Sequence, residues 1–192
     1  MGEGKRIVPR GSWGAVPPKP EIERQRYEGP LPKVIDHVVI HHTAFPADYP
    51  PNALQRYAQG SGWDDIAYHF YILGDGTIYQ GRELRYVGGH AGESEEANLS
   101  HDITKDPDYG SIGIALAGNF SGETDYATEA QIRSLRWLIG SLRHDYPKIV
   151  RDHVVLHREV DREITKKRGY TPTRSQQTDC PGNGLARQIK KL

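Results

Sequence analysis

The stretch Val34-Ile35-Asp36-His37-Val38-Val39-Ile40-His41-His42-Thr43 decides how the chain is read. Apolar and β-branched residues run almost unbroken from Val34 to Ile40, as expected of a strand buried on both faces of a sheet. The run ends on two histidines. Neighbouring residues of a strand face opposite ways, so one imidazole of the pair is expected to point to a site at the strand end and the other away from it.

The elements downstream repeat this logic. Asn52 to Gln59 reads as a short helix, with Leu54, Tyr57 and Ala58 at helical spacing before Gly60-Ser61-Gly62 breaks it. Ile66 to Leu73 reads as a second strand, on which Ile66, Tyr68, Phe70 and Ile72 would share a face. Gly74-Asp75-Gly76 then turns it into Thr77 to Gln80, a hairpin. Gly88 to Gly110 is polar and Gly-rich, an irregular loop of functional length. Ser111 to Ala117 is a further strand. Thr128 with Gln131 forms a capping-box pattern ahead of Ile132, Leu135, Leu138, Ile139 and Leu142, an apolar stripe that Tyr146-Pro147 ends. His153 to His157 reads as the last strand and Arg158 to Asp179 as a polar loop, while Leu185, Ile189 and Leu192 mark a closing helix. Strands interleaved with helices imply a sheet covered by helices.

Upstream, the first thirty residues hold five prolines and little periodicity. Residues 1–31 are therefore expected to form an arm packed over the domain, anchored by Trp13, with the domain proper over 32–192. A chain of 192 residues suits one domain. Its 25 basic and 25 acidic side chains cancel, so it lacks the overall positive field of a nucleic-acid binder, and none is expected as partner. No stretch has the apolar length to cross a bilayer, and Met1-Gly2-Glu3-Gly4-Lys5-Arg6 leads into no apolar signal core, so neither membrane insertion nor an export leader is expected. A monomer is expected. The single cysteine, Cys180, excludes an internal disulfide and sits in a polar loop, poorly placed for core packing.

His41, His157 and Cys180 all stand at element ends, where open α/β sheets gather their sites. Imidazole nitrogen and thiolate are zinc donors, and a catalytic zinc keeps three protein ligands and one open position. No short motif such as H-E-x-x-H links these residues, so the pattern alone does not fix a metal site.

A resemblance carries the reading further. Val39-Ile40-His41-His42-Thr43-Ala44, Ile66-Ala67-Tyr68-His69-Phe70, Gly74-Asp75-Gly76-Thr77-Ile78-Tyr79-Gln80-Gly81-Arg82, Gly89-His90-Ala91-Gly92, Ser111-Ile112-Gly113-Ile114-Ala115-Leu116-Ala117-Gly118-Asn119-Phe120, Leu156-His157-Arg158-Glu159 and Thr178-Asp179-Cys180-Pro181-Gly182 occur in that order. The set resembles the amidase-2 family of N-acetylmuramoyl-L-alanine amidases and peptidoglycan recognition proteins, phage lysozyme-amidases included.

The resemblance implies an α/β fold: a single domain with a central mixed β-sheet flanked by α-helices. It implies zinc as cofactor, held by His41, His157 and Cys180, with His41 as the first residue of the His-x-Thr pattern. His42 becomes a supporting or packing residue or, with His90 of the Gly-x-His stretch, one that contacts substrate. Tyr68, which by its position alone reads as a core aromatic, becomes a catalytic donor beside the metal, and Thr178 a second donor to the oxyanion. The implied reaction is hydrolysis of the amide between N-acetylmuramic acid and L-alanine of peptidoglycan, by a wall-lytic enzyme of endolysin or autolysin type acting on the cell wall. Family members that only bind peptidoglycan typically lack the cysteine, and cytoplasmic recycling amidases commonly carry aspartate there, so Cys180 disfavours both alternatives.

Two segments depart from the compact family pattern. Glu93 to Tyr109 is long, and Asp108-Tyr109-Gly110 replaces the usual asparagine. His157 and Cys180 stand 23 positions apart, so Val160 to Gln177 looks like an insertion. Its basic residues suggest either contact with anionic parts of the wall or a merely solvated loop.

Overall fold

A computed structural model describes residues 6–189. Within these residues six strands form one sheet: β1 (Ile7–Val8), β2 (His37–His42), β3 (Phe70–Ile72), β4 (Ile78–Gln80), β5 (Ser111–Leu116) and β6 (Val154–Leu156). Their order is β1-β4-β3-β5-β2-β6, every pair parallel except the β3–β4 hairpin, which makes the sheet mixed. Among the described residues five α-helices accompany it: α1 (Leu31–Val34), α2 (Pro51–Gly60), α3 (Glu95–Ser100), α4 (Glu129–Asp145) and α5 (Asn183–Ile189). Leu192, expected on the closing helix, and Met1 to Lys5 of the arm lie outside the described residues. Among the described residues no helix is long and apolar enough to cross a membrane.

The central strand is buried on both sides, as its composition demands. Val38 and Ile40 face a large core with Ile112, Ile114 and Leu116 of β5, Leu135, Leu138 and Leu142 of α4, and Leu185 of α5. Val39, between them, faces the other side, with Val155, Val160, Ile164 and Ala91. A third cluster on Ala115 and Ala117 brings in Leu54 of α2, Ile66 and Tyr71. Each fully buried aliphatic side chain contributes ~1.5–3 kcal/mol, so these layers fix the register of β2 firmly. The α4 capping box forms as its sequence requires: Thr128 Oγ1 accepts the Gln131 N–H, and Gln131 Oε1 accepts the Thr128 N–H.

Four expectations need correction. The first strand starts at His37, because Leu31-Pro32-Lys33-Val34 closes one helical turn behind Pro30 and leaves Ile35 as its cap. The strand expected from Ile66 pairs regularly only over Phe70–Ile72, so its alternation fails: Phe70 and Ile72 join the α4 core, whereas Ile66 and Tyr68 pack with Tyr71. The loop from Gly88 to Gly110 holds α3, whose first turn Ser94 caps through the Ala97 N–H. In the segment expected to be a polar loop, a π-helical turn forms over Asp161–Thr165, with Ile164 on it and its cap Val160 both fully buried. The proline-rich arm, for its part, supplies edge strand β1, and Trp13 is buried with its indole N–H on the Gln80 carbonyl.

The two departing segments pack on each other. Ser94 bridges Pro172, Thr171 donates from its N–H and hydroxyl to Glu96, and Thr173 Oγ1 and Gln176 Nε2 donate to the Glu93 carbonyl. The insertion's charges are largely answered within the protein. Arg162 pairs with Glu159 and Glu163, Lys166 with Asp161, Lys167 with Glu163, and Arg168 with Asp36. Of the basic residues from Arg158 to Arg174, Arg158 and Arg174 have no acidic partner among the described residues while the other four are paired, which argues against a strongly basic border to the cleft.

Candidate metal centre

The geometry of the site follows from strand pairing. β2 runs parallel to β6 with Ile40 opposite Leu156, so the next residue of each strand, His41 and His157, emerges beside the other. Their Nδ1 atoms stand 3.1 Å apart. Cys180 arrives from the loop before α5 and puts its sulfur 3.8 Å from His41 Nδ1. One donor atom from each of the three lies within 4.8 Å of the others. Bond lengths of ~2.0–2.1 Å to nitrogen and ~2.3 Å to sulfur around a tetrahedral ion would separate nitrogen pairs by ~3.3 Å and nitrogen–sulfur pairs by ~3.6 Å. The donor spacing therefore suits zinc.

The protonation chemistry fits as well. Burial, then the neighbouring imidazoles of His157, His90 and His42, push the pKa of His41 well below its ordinary value. Burial takes His157 down to about 4, with the Asp108 carboxylate opposing and His42 assisting. Both rings are neutral at physiological pH and turn nitrogen atoms toward each other and toward a sulfur, an arrangement that a cation would satisfy. Burial raises the Cys180 thiol to about 11, partly offset by the His42 N–H, 3.4 Å from Sγ, and by the Arg158 guanidinium.

The other predicted residues separate by strand face. His42 points away from the three donors: its Nδ1 accepts the Phe120 N–H at 3.1 Å and so fixes the chain leaving β5. Its pKa is lowered by burial and then by Arg158. His90 lies behind His41, with Nδ1 3.1 Å from His41 Nε2, and its side chain is fully buried. So placed it supports a candidate ligand and does not line an open cleft. Tyr68 packs its ring 5.1 Å from that of His41. Burial, and secondarily Cys180, raises its pKa, so the phenol keeps its proton, and among the described residues its hydroxyl has no hydrogen-bond partner. Thr178 Oγ1 accepts the Cys180 N–H at 3.1 Å, which leaves the hydroxyl proton available.

Sequence reasoning missed the supports. Asp108 is fully buried and accepts the backbone N–H groups of His90 and Ala91, with Oδ1 also 3.1 Å from His90 Nε2. Gly113, in the middle of β5, is required because a Cβ there would collide with the His90 ring. A glycine inside a strand was the available signal for such a close approach. Arg158 is the third; it stands in the Leu156-His157-Arg158-Glu159 stretch, but nothing in that stretch marks it as a support.

Comparison with known proteins shows the family and the fold. The chain belongs to the Amidase_2 family of N-acetylmuramoyl-L-alanine amidases, whose family model matches residues 31–183. It is similar to the N-acetylmuramoyl-L-alanine amidase of Homo sapiens, 30% identical over an alignment of 196 residues that covers 93% of this chain and 27% of the human protein. The chain thus spans about a quarter of the length of the mammalian amidases it matches. Among solved structures it resembles peptidoglycan recognition protein LE in complex with tracheal cytotoxin, a monomeric diaminopimelic acid-type peptidoglycan, at 26% identity and a TM-score of 0.67, covering 97% of this chain and 93% of that one. It also resembles the endolysin amidase LysCS of Clostridium intestinale, at 27% identity and a TM-score of 0.63, covering 99% and 96%. These likenesses bear out the expected family and its mixed, helix-flanked sheet.

Proposed function

We propose that this protein is a zinc-dependent N-acetylmuramoyl-L-alanine amidase that acts on the cell wall and cuts between the lactyl carbonyl of N-acetylmuramic acid and the L-alanine of the stem peptide. The convergence of His41, His157 and Cys180 carries the reading: residues distant in the sequence bring two imidazole nitrogens and a sulfur, all zinc donors, within 4.8 Å of one another. Similarity to an endolysin N-acetylmuramoyl-L-alanine amidase and to a recognition protein in complex with a monomeric peptidoglycan supports the substrate class.

His41, His157 and Cys180 would hold zinc, which when bound supplies Lewis acidity and a water of pKa ~7. Neutral imidazoles are ready to coordinate, whereas the thiol must release a proton to do so, so metal uptake is coupled to pH. Attack on the scissile carbonyl places negative charge on its oxygen. Tyr68, protonated and without a protein acceptor, donates to that oxygen, and Thr178 supplies a second hydroxyl from the loop that carries Cys180. Both bonds strengthen as charge develops, which is what lowers the barrier. His90, backed by Asp108, holds the orientation of His41.

The test is an assay for newly exposed alanine amines on purified peptidoglycan, with zinc content measured in the same preparation. Zinc-dependent amine release supports the proposal. Binding to peptidoglycan without amine release from the zinc-loaded protein overturns it in favour of a recognition role.

A further inference from the structure

Arg158 stands next to His157 in sequence and next to Cys180 in space. Its backbone N–H donates to the Cys180 carbonyl at 2.9 Å. Its guanidinium donates from Nη2 to the Asp179 carbonyl at 2.6 Å and from Nη1 to Asn183 Oδ1 at 2.9 Å. One side chain therefore grips the residue before Cys180 and the residue that opens α5 behind it. Nε is buried without a protein acceptor, so part of the charged group has been taken out of water, a cost that an exposed arginine would not bear.

The chain itself cannot do this work. His157 and Cys180 are separated by a long insertion that Arg168 ties to Asp36 and Tyr109 and that α3 holds by Glu96. A link of that length leaves the distance between its ends unspecified. Thr178 fixes the Cys180 amide and the His42 N–H meets its sulfur, but neither contact connects Cys180 to the turn after β6 that carries His157. Arg158 makes that connection, through main chain and side chain together.

We infer that Arg158 is a positioning residue: its clamp on Asp179, Cys180 and Asn183 sets the sulfur at bonding distance from a metal held by His41 and His157. The inference rests on the zinc reading above. Without the clamp the two imidazoles remain in register and still bind the ion, but the sulfur is held loosely or not at all.

The experiment compares the full chain with R158Q, R158K and C180S, by zinc affinity in competition with a chromophoric chelator and by the thiolate-to-cobalt charge-transfer absorption of the cobalt-loaded proteins. Thermal unfolding of the metal-free proteins checks the fold. In R158Q the expected result is a dissociation constant weakened ~10–100-fold and a diminished charge-transfer band, the signature of a metal kept by imidazoles with its sulfur displaced. R158K, with one donor group in place of a planar fork, falls between R158Q and wild type. A folded R158Q with wild-type affinity and band, when C180S has lost the band, overturns the inference. Should R158Q fail to fold, wild-type affinity and band in R158K overturn it equally. A wild-type chain that binds no zinc, or a C180S protein that keeps the band, overturns the metal reading itself and this inference with it.

Discussion

His41 and His157 are held by the sheet, whereas Cys180 is held by hydrogen bonds. The two imidazoles leave adjacent parallel strands one step beyond a fixed pair, Ile40 and Leu156, inside a core that permits no slip. The sulfur comes from an irregular loop at the end of a long insertion, located by the Thr178 hydroxyl, the His42 amide and Arg158. The contrast teaches where a site of this kind is robust and where it is tunable. Strand register is enforced by the whole fold, while a loop-borne donor can be displaced by changing one side chain.

The largest expected effect comes from breaking each half in turn. His41→Ala removes a strand-held donor and should abolish both amine release and measurable zinc binding. Cys180→Ser should also abolish amine release but retain weak zinc binding through the two imidazoles. Equal zinc loss in both variants, measured by metal analysis after gel filtration, would erase the distinction.

Next, Tyr68→Phe tests the chemistry without touching either half of the donor set. Removal of one oxyanion donor should lower kcat by ~10²–10³-fold and leave zinc affinity unchanged. A proportionate loss of metal would assign Tyr68 to the packing around His41.

Acid sharpens the comparison from the strand side. In the folded, metal-free protein His157 titrates at about 4, against ~6.5 when unfolded, and His41 is shifted the same way. Between those values the unfolded chain binds more protons, so these histidines cost nothing above pH ~6.5 and destabilise the fold progressively as pH falls toward 4. Urea unfolding of metal-free protein across that range should show the decline, and His157→Asn should flatten it. A stability that rises on acidification would contradict the buried, neutral state of these rings.

The smallest effect is a control remote from the site. Thr128→Ala removes the α4 cap at a cost of ~1 kcal/mol, a fall of ~2–4 °C in Tm for a chain of this size, with zinc affinity unaltered. A change in affinity would mean that the helix layer and the donors are coupled through Gln131, whose side-chain amide also reaches the Ile72 and Ala117 carbonyls.

How far the molecule was legible in its sequence follows the same division. β2, β5 and α4 could be read because burial on both faces and a helical stripe leave periodic marks, and the Thr128–Gln131 cap appeared where its residues announced it. Edge strand β1 could not, since two residues beside Pro9 carry no period. The turn over Asp161–Thr165 was hidden because charged residues surround the buried Val160 and Ile164. Within the site, the alternation of His41 and His42 was legible, but the approach of His157 to His41 depends on strand order, which only the family resemblance could supply. Arg158 and Asp108 act on backbone groups across the fold, and contacts of that kind leave no spacing rule to read.

X-ray absorption at the zinc edge of the metal-loaded protein tests the central claim most directly. The predicted result is one zinc per chain, with two imidazole nitrogens at ~2.0–2.1 Å, one sulfur at ~2.3 Å and an oxygen completing the shell. A shell without sulfur, or a chain that retains no zinc, would contradict it.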